Sequence, residues 1–290
     1  MTGRSPPILS NGGWDCHVHV VGPPSEYPMV TDRHYTPGAA SVDELREHMA
    51  RHGISNVVIV QPSFYGTDNR CMLDALLSLN GPGRGIAVLA DDVSSGELHR
   101  LHAAGVRGIR INLESASVRD PSVIGSSLAV WARKIADLGW HIQLYAAPEL
   151  FSAAADQLAQ LPVPTVLDHF AMTSSRADRS DPSLRAVLAL LERGSTYVKL
   201  SAPYRISADP SQDADRIARL ATWLHDANPE RILWGTDWPH TNREPGVAAH
   251  AVSRYRDVPD AVLTQALQPW VHDPRSLQRI LIENPQRLYF

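Results

Sequence analysis

Two cysteines, Cys16 and Cys71, are all that 290 residues contain. That scarcity excludes a disulfide-stapled secreted scaffold and a cysteine zinc knuckle. No apolar run approaches the roughly 18 residues that a membrane span needs. The opening MTGRSPPILSNGG has one arginine and two prolines but no apolar stretch of signal-peptide length. Neither export nor membrane insertion is expected, and the cytoplasm is the expected compartment. A charge excess is missing too. Lys+Arg number 27 against 31 Asp+Glu, net −4, with the basic residues dispersed, so there is no electrostatic footprint for nucleic acid or an anionic membrane. No glycine-rich dinucleotide fingerprint follows any apolar run, and no repeat, low-complexity tract or linker divides the chain. With 43% hydrophobic residues it can bury one large core, so a single domain over 1–290 acting on a small molecule is expected.

What is present is alternation. Eight short, nearly continuous apolar runs fall at 14–20, 55–60, 84–90, 105–111, 140–145, 163–168, 196–201 and 231–236, the pattern of parallel strands covered by helices. Between them lie helix signals. Ser41-Val-Asp-Glu44 and Ser94-Ser-Gly-Glu97 have capping-box spacing, and Gly53 stands where the first helix should stop. Further helices are expected at 68–80, 122–138, 148–160, 182–193 and 213–227, with two or three after 245. The count of eight favours an α/β fold of the (β/α)8 TIM-barrel type over a doubly wound sheet. The proline-bearing stretch 22–38 then lies over the active mouth, and the Trp-bearing tail LTQALQPWVHDP covers either the barrel or a partner subunit, with the oligomeric state left open.

In such a barrel the C-terminal strand ends build the active face, and polar residues collect there. Run one ends in His17 and His19, which period-two alternation points to one side. Run two meets Gln61 and Ser63, run four carries Arg110 and Asn112, and run five Gln143 and Tyr145. Run six gives Asp168 and His169, run seven Ser201, Tyr204 and Arg205, and run eight Asp237 and His240. Each has a bland alternative: Asp237 as a turn former before Pro239, His169 and Arg205 as solvated loop residues, Tyr35 and Tyr145 as packing aromatics. Arg110 is harder to dismiss, since a cation ending an apolar strand needs a counter-charge, water or a ligand.

The strings DCHVHVVGP, HYTPG, VIVQPSFYGTDN, GVRGIRIN, VLDHFAM, VKLSAPYR and WGTDWPH resemble the amidohydrolase-superfamily lactonases, whose type member opens 2-pyrone-4,6-dicarboxylate. The resemblance spans almost the whole chain and implies a barrel that hydrolyses small lactones. It implies that Asp237 is the general base and that His17, His19 and His169 stabilise the developing oxyanion. Arg110, Arg205, Tyr35, Ser63 and Tyr145 would hold substrate carboxylate and hydroxyl groups, and His240 and Asn242 would complete the rim. One departure stands out. Dicarboxylate-specific members carry a second arginine shortly after the one on strand four, where this chain has Glu114, Ser115 and Ala116, with Arg119 beyond. That implies a lactone with one carboxylate, or a neutral or sugar-acid lactone.

The wider superfamily uses HxH, a later histidine and an aspartate to hold Zn²⁺. A binuclear site is not expected, because strands four and five end without a bridging lysine or glutamate. A mononuclear Zn through His17, His19, His169 and Asp237 stays open, although the resemblance is to metal-independent enzymes and no cofactor is expected to be required. Competing functions are lactone isomerisation on the same barrel, Zn-dependent decarboxylation, and a catalytically dead barrel kept for binding.

Overall fold

The computed structural model describes residues 13–113 and 121–290. Eight strands, β1 (Gly13–Val18), β2 (Ile54–Val60), β3 (Gly83–Ala87), β4 (Val106–Asn112), β5 (His141–Tyr145), β6 (Thr165–Leu167), β7 (Thr196–Leu200) and β8 (Ile232–Trp234), form one parallel sheet in chain order. Several are shorter than their apolar runs, and for β3 and β6 the reason is identifiable. Beyond Ala87 the Asn69 amide takes over the backbone of Val88, accepting from its N–H and donating to its C=O. Ahead of β6, Pro162 and Pro164 have no N–H to give a ladder.

The sheet closes past the end of β8. Asp237 N donates to His17 O at 2.9 Å and His19 N to Trp238 O at 2.8 Å, with a parallel bridge between Val18 and Trp238. The bonds that shut the barrel therefore fix the backbone of three of the titratable residues singled out above. Gly235 allows this approach, for a Cβ there would lie 2.8 Å from His17 N and 2.9 Å from His17 Cβ. Asp15, fully buried, binds the same seam, its Oδ1 accepting from the N–H groups of His17 and Thr236.

Helices α1 (Val42–His52), α2 (Arg70–Leu79), α3 (Ser95–Ala103), α4 (Pro121–Ile135), α5 (Pro148–Ala153), α6 (Ala155–Ala159), α7 (Pro182–Arg193) and α8 (Ala214–Ala227) alternate with the strands. The Ser41–Glu44 capping box forms both of its bonds and Gly53 ends α1 at φ 69°. Ser94 caps Glu97 N, but the Glu97 carboxylate turns to Arg100 instead of returning to the cap. The stretch 148–160 is two short helices, because Ala154 leaves helical geometry. After residue 245 come helices at Asp260–Thr264, Pro274–Gln278 and Asn284–Tyr289. The tail covers the barrel flank: Trp270 is buried with its ring 4.6 Å from that of His225 on α8.

Inside the barrel the lower layers are apolar. Trp14, Cys16, Val58, Val60, Ile86, Val166, Tyr197 and Leu233 pack with Leu288 and Tyr289 of the last helix, and Tyr289 stacks on Trp14. The loop expected over the mouth is fastened by a feature too short to read from sequence. Thr36–Pro37 pairs in parallel with Val252–Ser253, and Val21 pairs with Ala40 at the loop's base. Among the described residues no helix is long and apolar enough to cross a membrane.

Candidate active site

Alternation along β4, β5 and β7 turns Arg110, Gln143 and Lys199 inward, level with Asp168 at the end of β6. Lys199 is wholly buried. Its ammonium donates to Gln143 Oε1 at 2.6 Å and lies 3.5 Å from both Asp168 Oδ1 and His17 Nδ1. Asp168 also receives Arg110 Nη2 at 3.4 Å and Gln143 Nε2 at 3.0 Å on Oδ2, and His17 Nδ1 stands 3.3 Å from its Oδ1. Burial would raise the Asp168 carboxyl, but His17, Lys199 and Arg110 outweigh it and hold it well below the usual carboxylate range. Lys199 shifts the other way, its pKa lowered by burial despite Asp168.

Above this layer sits Asp237, also wholly buried, on a residue with φ 64°. Its Oδ2 accepts from Tyr204 Oη at 2.8 Å and from Arg205 Nε and Nη2 at 3.1 and 2.9 Å. Its Oδ1 faces His17 Nε2 at 3.6 Å and His19 Nε2 at 3.5 Å. Burial pushes its pKa up, but the Arg205 guanidinium keeps it well below the usual range, so the group is a carboxylate at neutral pH. Burial has the opposite sense for the imidazoles. His17 is lowered to about 4 and His169 well below its ordinary value, so both are neutral. The His17 ring lies 5.0 Å from that of His19 and 4.7 Å from that of His169, whose Nδ1 is bonded to Ser201 Oγ at 2.9 Å.

A cavity of about 400 Å³ opens above, lined by His19, His34, Tyr35, Pro62, Ser63, Arg110, Asn112, Tyr145, Arg205, Thr241, Asn242, Arg243 and Arg256. Eight residues singled out from the sequence thus share its wall: His19, Tyr35, Ser63, Arg110, Asn112, Tyr145, Arg205 and Asn242. Asp237, His17 and His169 lie directly behind that wall, and the lining residues bonded or paired to Asp237 are His19 and Arg205. His240, expected at the rim, is not in this lining. It borders a second cavity with His48, His52 and Trp238, and its Nδ1 backs Tyr204 Oη at 3.3 Å. Residues 114–120, which include Glu114, Ser115, Ala116 and Arg119, lie outside the described residues. The sequence reading missed Lys199, Arg243, Arg256, Thr241 and His34.

Two details refine the histidines. His19 Nδ1 lies 2.7 Å from the Val60 carbonyl, which can only accept, so Nδ1 carries the proton. In the neutral ring Nε2 is then an acceptor, unable to donate to an oxyanion. His17 Nε2 and Asp237 Oδ1 are likewise buried without a hydrogen-bond partner. His17, His19 and Asp237 offer ligand atoms within 4.8 Å of one another, and His17, Asp168 and His169 form a second such triple. The four-ligand zinc set drawn from sequence is therefore divided, with His169 grouped beside Asp168. The first triple fits a divalent cation, since a metal-held imidazole commonly donates its other N–H to a carbonyl.

The profile of the amidohydrolase family matches residues 14–290. The chain belongs to the amidohydrolase family. It is 34% identical to a 2-pyrone-4,6-dicarboxylate hydrolase of Comamonas testosteroni, over 97% of this chain and 91% of that one. It is 31% identical to a 4-sulfomuconolactone hydrolase of Hydrogenophaga intermedia, over 97% and 90%. A crystal structure from Acinetobacter baumannii, described as a probable 2-pyrone-4,6-dicarboxylic acid hydrolase with citric acid bound, superposes with a TM-score of 0.80 at 27% identity, over 96% of this chain and 99% of that one.

Proposed function

We propose that this barrel hydrolyses a small, carboxylate-bearing lactone. The observation that carries the reading is Asp237: an ionised, wholly buried carboxylate with one oxygen held by three donors and the other turned, unbonded, toward two imidazoles. A water donating one proton to Asp237 Oδ1 and one to His19 Nε2 has its lone pairs free for the lactone carbonyl. As the water oxygen bonds to the carbonyl carbon, Asp237 takes its proton. When the ring C–O bond breaks, that proton passes to the ring oxygen. His17 and His169 are the neutral imidazoles left to stabilise the oxyanion, at a few kcal/mol per donor.

Arg205 ties binding to chemistry. With Nε and Nη2 held on Asp237, its remaining N–H groups suit a substrate carboxylate, so one guanidinium would orient the base and the substrate together. Tyr35, Ser63, Tyr145 and Asn242 supply the remaining polar wall, and Arg110 a second cation at depth.

No metal is required on this reading. Lys199, Arg110 and Arg205 set three cations against the two carboxylates Asp168 and Asp237, and adding a divalent ion to that buried excess is costly. The unprotonated His19 Nε2 favours a second reading, in which His17, His19 and Asp237 hold one divalent ion that acidifies the water. Action in the cytoplasm is in keeping with two free, buried cysteines. The test is a lactone screen on protein purified without added metal, with product mass and metal content measured together. A product heavier by one water supports hydrolysis, unchanged mass means isomerisation, and turnover that tracks bound metal favours the second reading. Silence across muconolactones, sugar lactones and pyrones refutes the proposal.

A further inference from the structure

The cavity wall carries four arginines and, among the described residues, no carboxylate. Two of the four are neutralised from behind, Arg110 by Asp168 at 3.4 Å and Arg205 by Asp237 at 2.9 Å. Arg243 and Arg256 are exposed, and no carboxylate of the described residues stands within ion-pair distance of either. The nearby Glu244 is taken by Arg254.

The backbone of Arg256 is anchored. Arg256 N donates to His240 O at 2.9 Å, and its guanidinium stands 5.2 Å from the ring centre of Tyr204, the residue bonded to Asp237. The preceding Tyr255 donates to Gly38 O at 2.6 Å, and Val252–Ser253 pairs with Thr36–Pro37 of the mouth loop. Arg243 follows Thr241 and Asn242, which line the same cavity.

We propose that Arg243 and Arg256 form a second anion subsite at the cavity mouth, so that the substrate carries two anionic groups, carboxylate or sulfonate. One is taken at depth by Arg205 and Arg110, the other by this pair. The assignment rests on the lactone reading above for the identity of the ring, but the subsite itself is open to test without turnover. It also replaces the expectation of a mono-anionic or neutral lactone, because the arginine that positions 114–116 lack is supplied from the loops that follow β8.

The probes are benzoate and benzene-1,3-dicarboxylate, titrated calorimetrically into the wild-type protein and into R243Q, R256Q and the double variant, each checked for an unchanged melting curve. The wild type is expected to bind the diacid about tenfold more tightly than the monoacid, the order of advantage that charge-assisted bonds at a solvated rim provide. In the double variant that ratio falls below about threefold, and 0.5 M NaCl shrinks it in the wild type. A ratio near one in the wild type, or a ratio that survives the double substitution, overturns the subsite. Lactones bearing one or two carboxylates are assayed alongside. Lactone opening without diacid preference sinks the subsite and leaves the hydrolase reading standing. Arginine-dependent diacid preference without opening of any lactone does the reverse.

Discussion

Replacing Asp237 by Asn isolates the proposed base with little rearrangement, because the site can receive an amide. Its carbonyl oxygen can keep the bonds now given by Tyr204 and Arg205 at 2.8 to 3.1 Å. Its NH2 can donate to His19 Nε2, an acceptor 3.5 Å away. What disappears is the charge. The Tyr204 bond becomes a neutral one and the two from Arg205 lose their anionic acceptor, while Arg205, whose side chain is 20% exposed, regains some water, so the stability cost is about 1–3 kcal/mol, seen as a loss of a few degrees in Tm. The catalytic cost is larger. Removal of a general base is expected to lower kcat by about 10²–10⁴, or roughly 2.7–5.4 kcal/mol of barrier. The pH profile adds a second check. Because Arg205 and the histidines hold Asp237 well below the usual carboxylate range, the active, ionised form persists on acidification, and kcat/KM of the wild type should show no Asp237 limb between pH 5 and 8. A folded Asp237→Asn enzyme with kcat within tenfold of wild type refutes the assignment.

Gly235→Ala would drive a methyl to 2.8 Å from His17 N, against backbone that cannot yield. The expected result is a loss of about 1–3 kcal/mol of stability together with at least a tenfold drop in kcat, since the same seam places Asp237. Wild-type melting and turnover would show the seam to be soft. Lys199→Met removes a cation that, after burial, helps lower the His17 pKa to about 4, so the His17 resonance should titrate at higher pH in the variant. An unmoved titration curve contradicts the packing described. Acid stability follows from His17, His141 and His240, which burial lowers to about 4, 3 and 4. Their stabilising contribution is complete above the unfolded value near 6.5 and is lost as pH falls toward the folded values. Each histidine therefore contributes up to about 1.4 kcal/mol per pH unit between pH 6.5 and 4. Urea unfolding at pH 7.5, 5.5 and 4.5 measures the slope, which His141→Leu should reduce, and flat or rising stability on acidification is the contrary result.

The strands and most residues of the candidate site were legible because both obey short-range rules. Apolar runs mark strands, and polar residues at their ends mark the mouth of a barrel. Lys199 escaped for an instructive reason: it lies inside the run TYVKL rather than at its end, where it looks like an outward residue until its inward neighbours, Gln143 and Asp168, are known. Arg243 and Arg256 escaped because nothing in residues 243–256 is periodic. Their place depends on two residues, Val252 and Ser253, pairing with Thr36 and Pro37 more than 200 positions away, and two-residue strands leave no pattern. His240 is placed outside the cavity by the backbone. Asp237 and His240 both have positive φ, 64° and 67°, and that tight turn sends the histidine behind Tyr204 instead of into the cavity.

The tautomer of His19 shows the same limit at atomic scale. A strand that places two histidines on one face says nothing of which ring nitrogen bears the proton. The Val60 carbonyl, 41 residues away, decides that. On the proposed mechanism, with Nδ1 the donor in a neutral ring, His19 would hold water or a cation rather than an oxyanion, leaving His17 and His169 to polarise the carbonyl. A His19→Gln variant bears on this division of labour. With the amide able to accept a proton from the water, it should retain far more activity than His19→Leu, whereas His17→Gln, which must donate to an oxyanion and also answer to Asp168, should be the more damaging of the two glutamines. The reverse order in kcat would return His19 to the oxyanion.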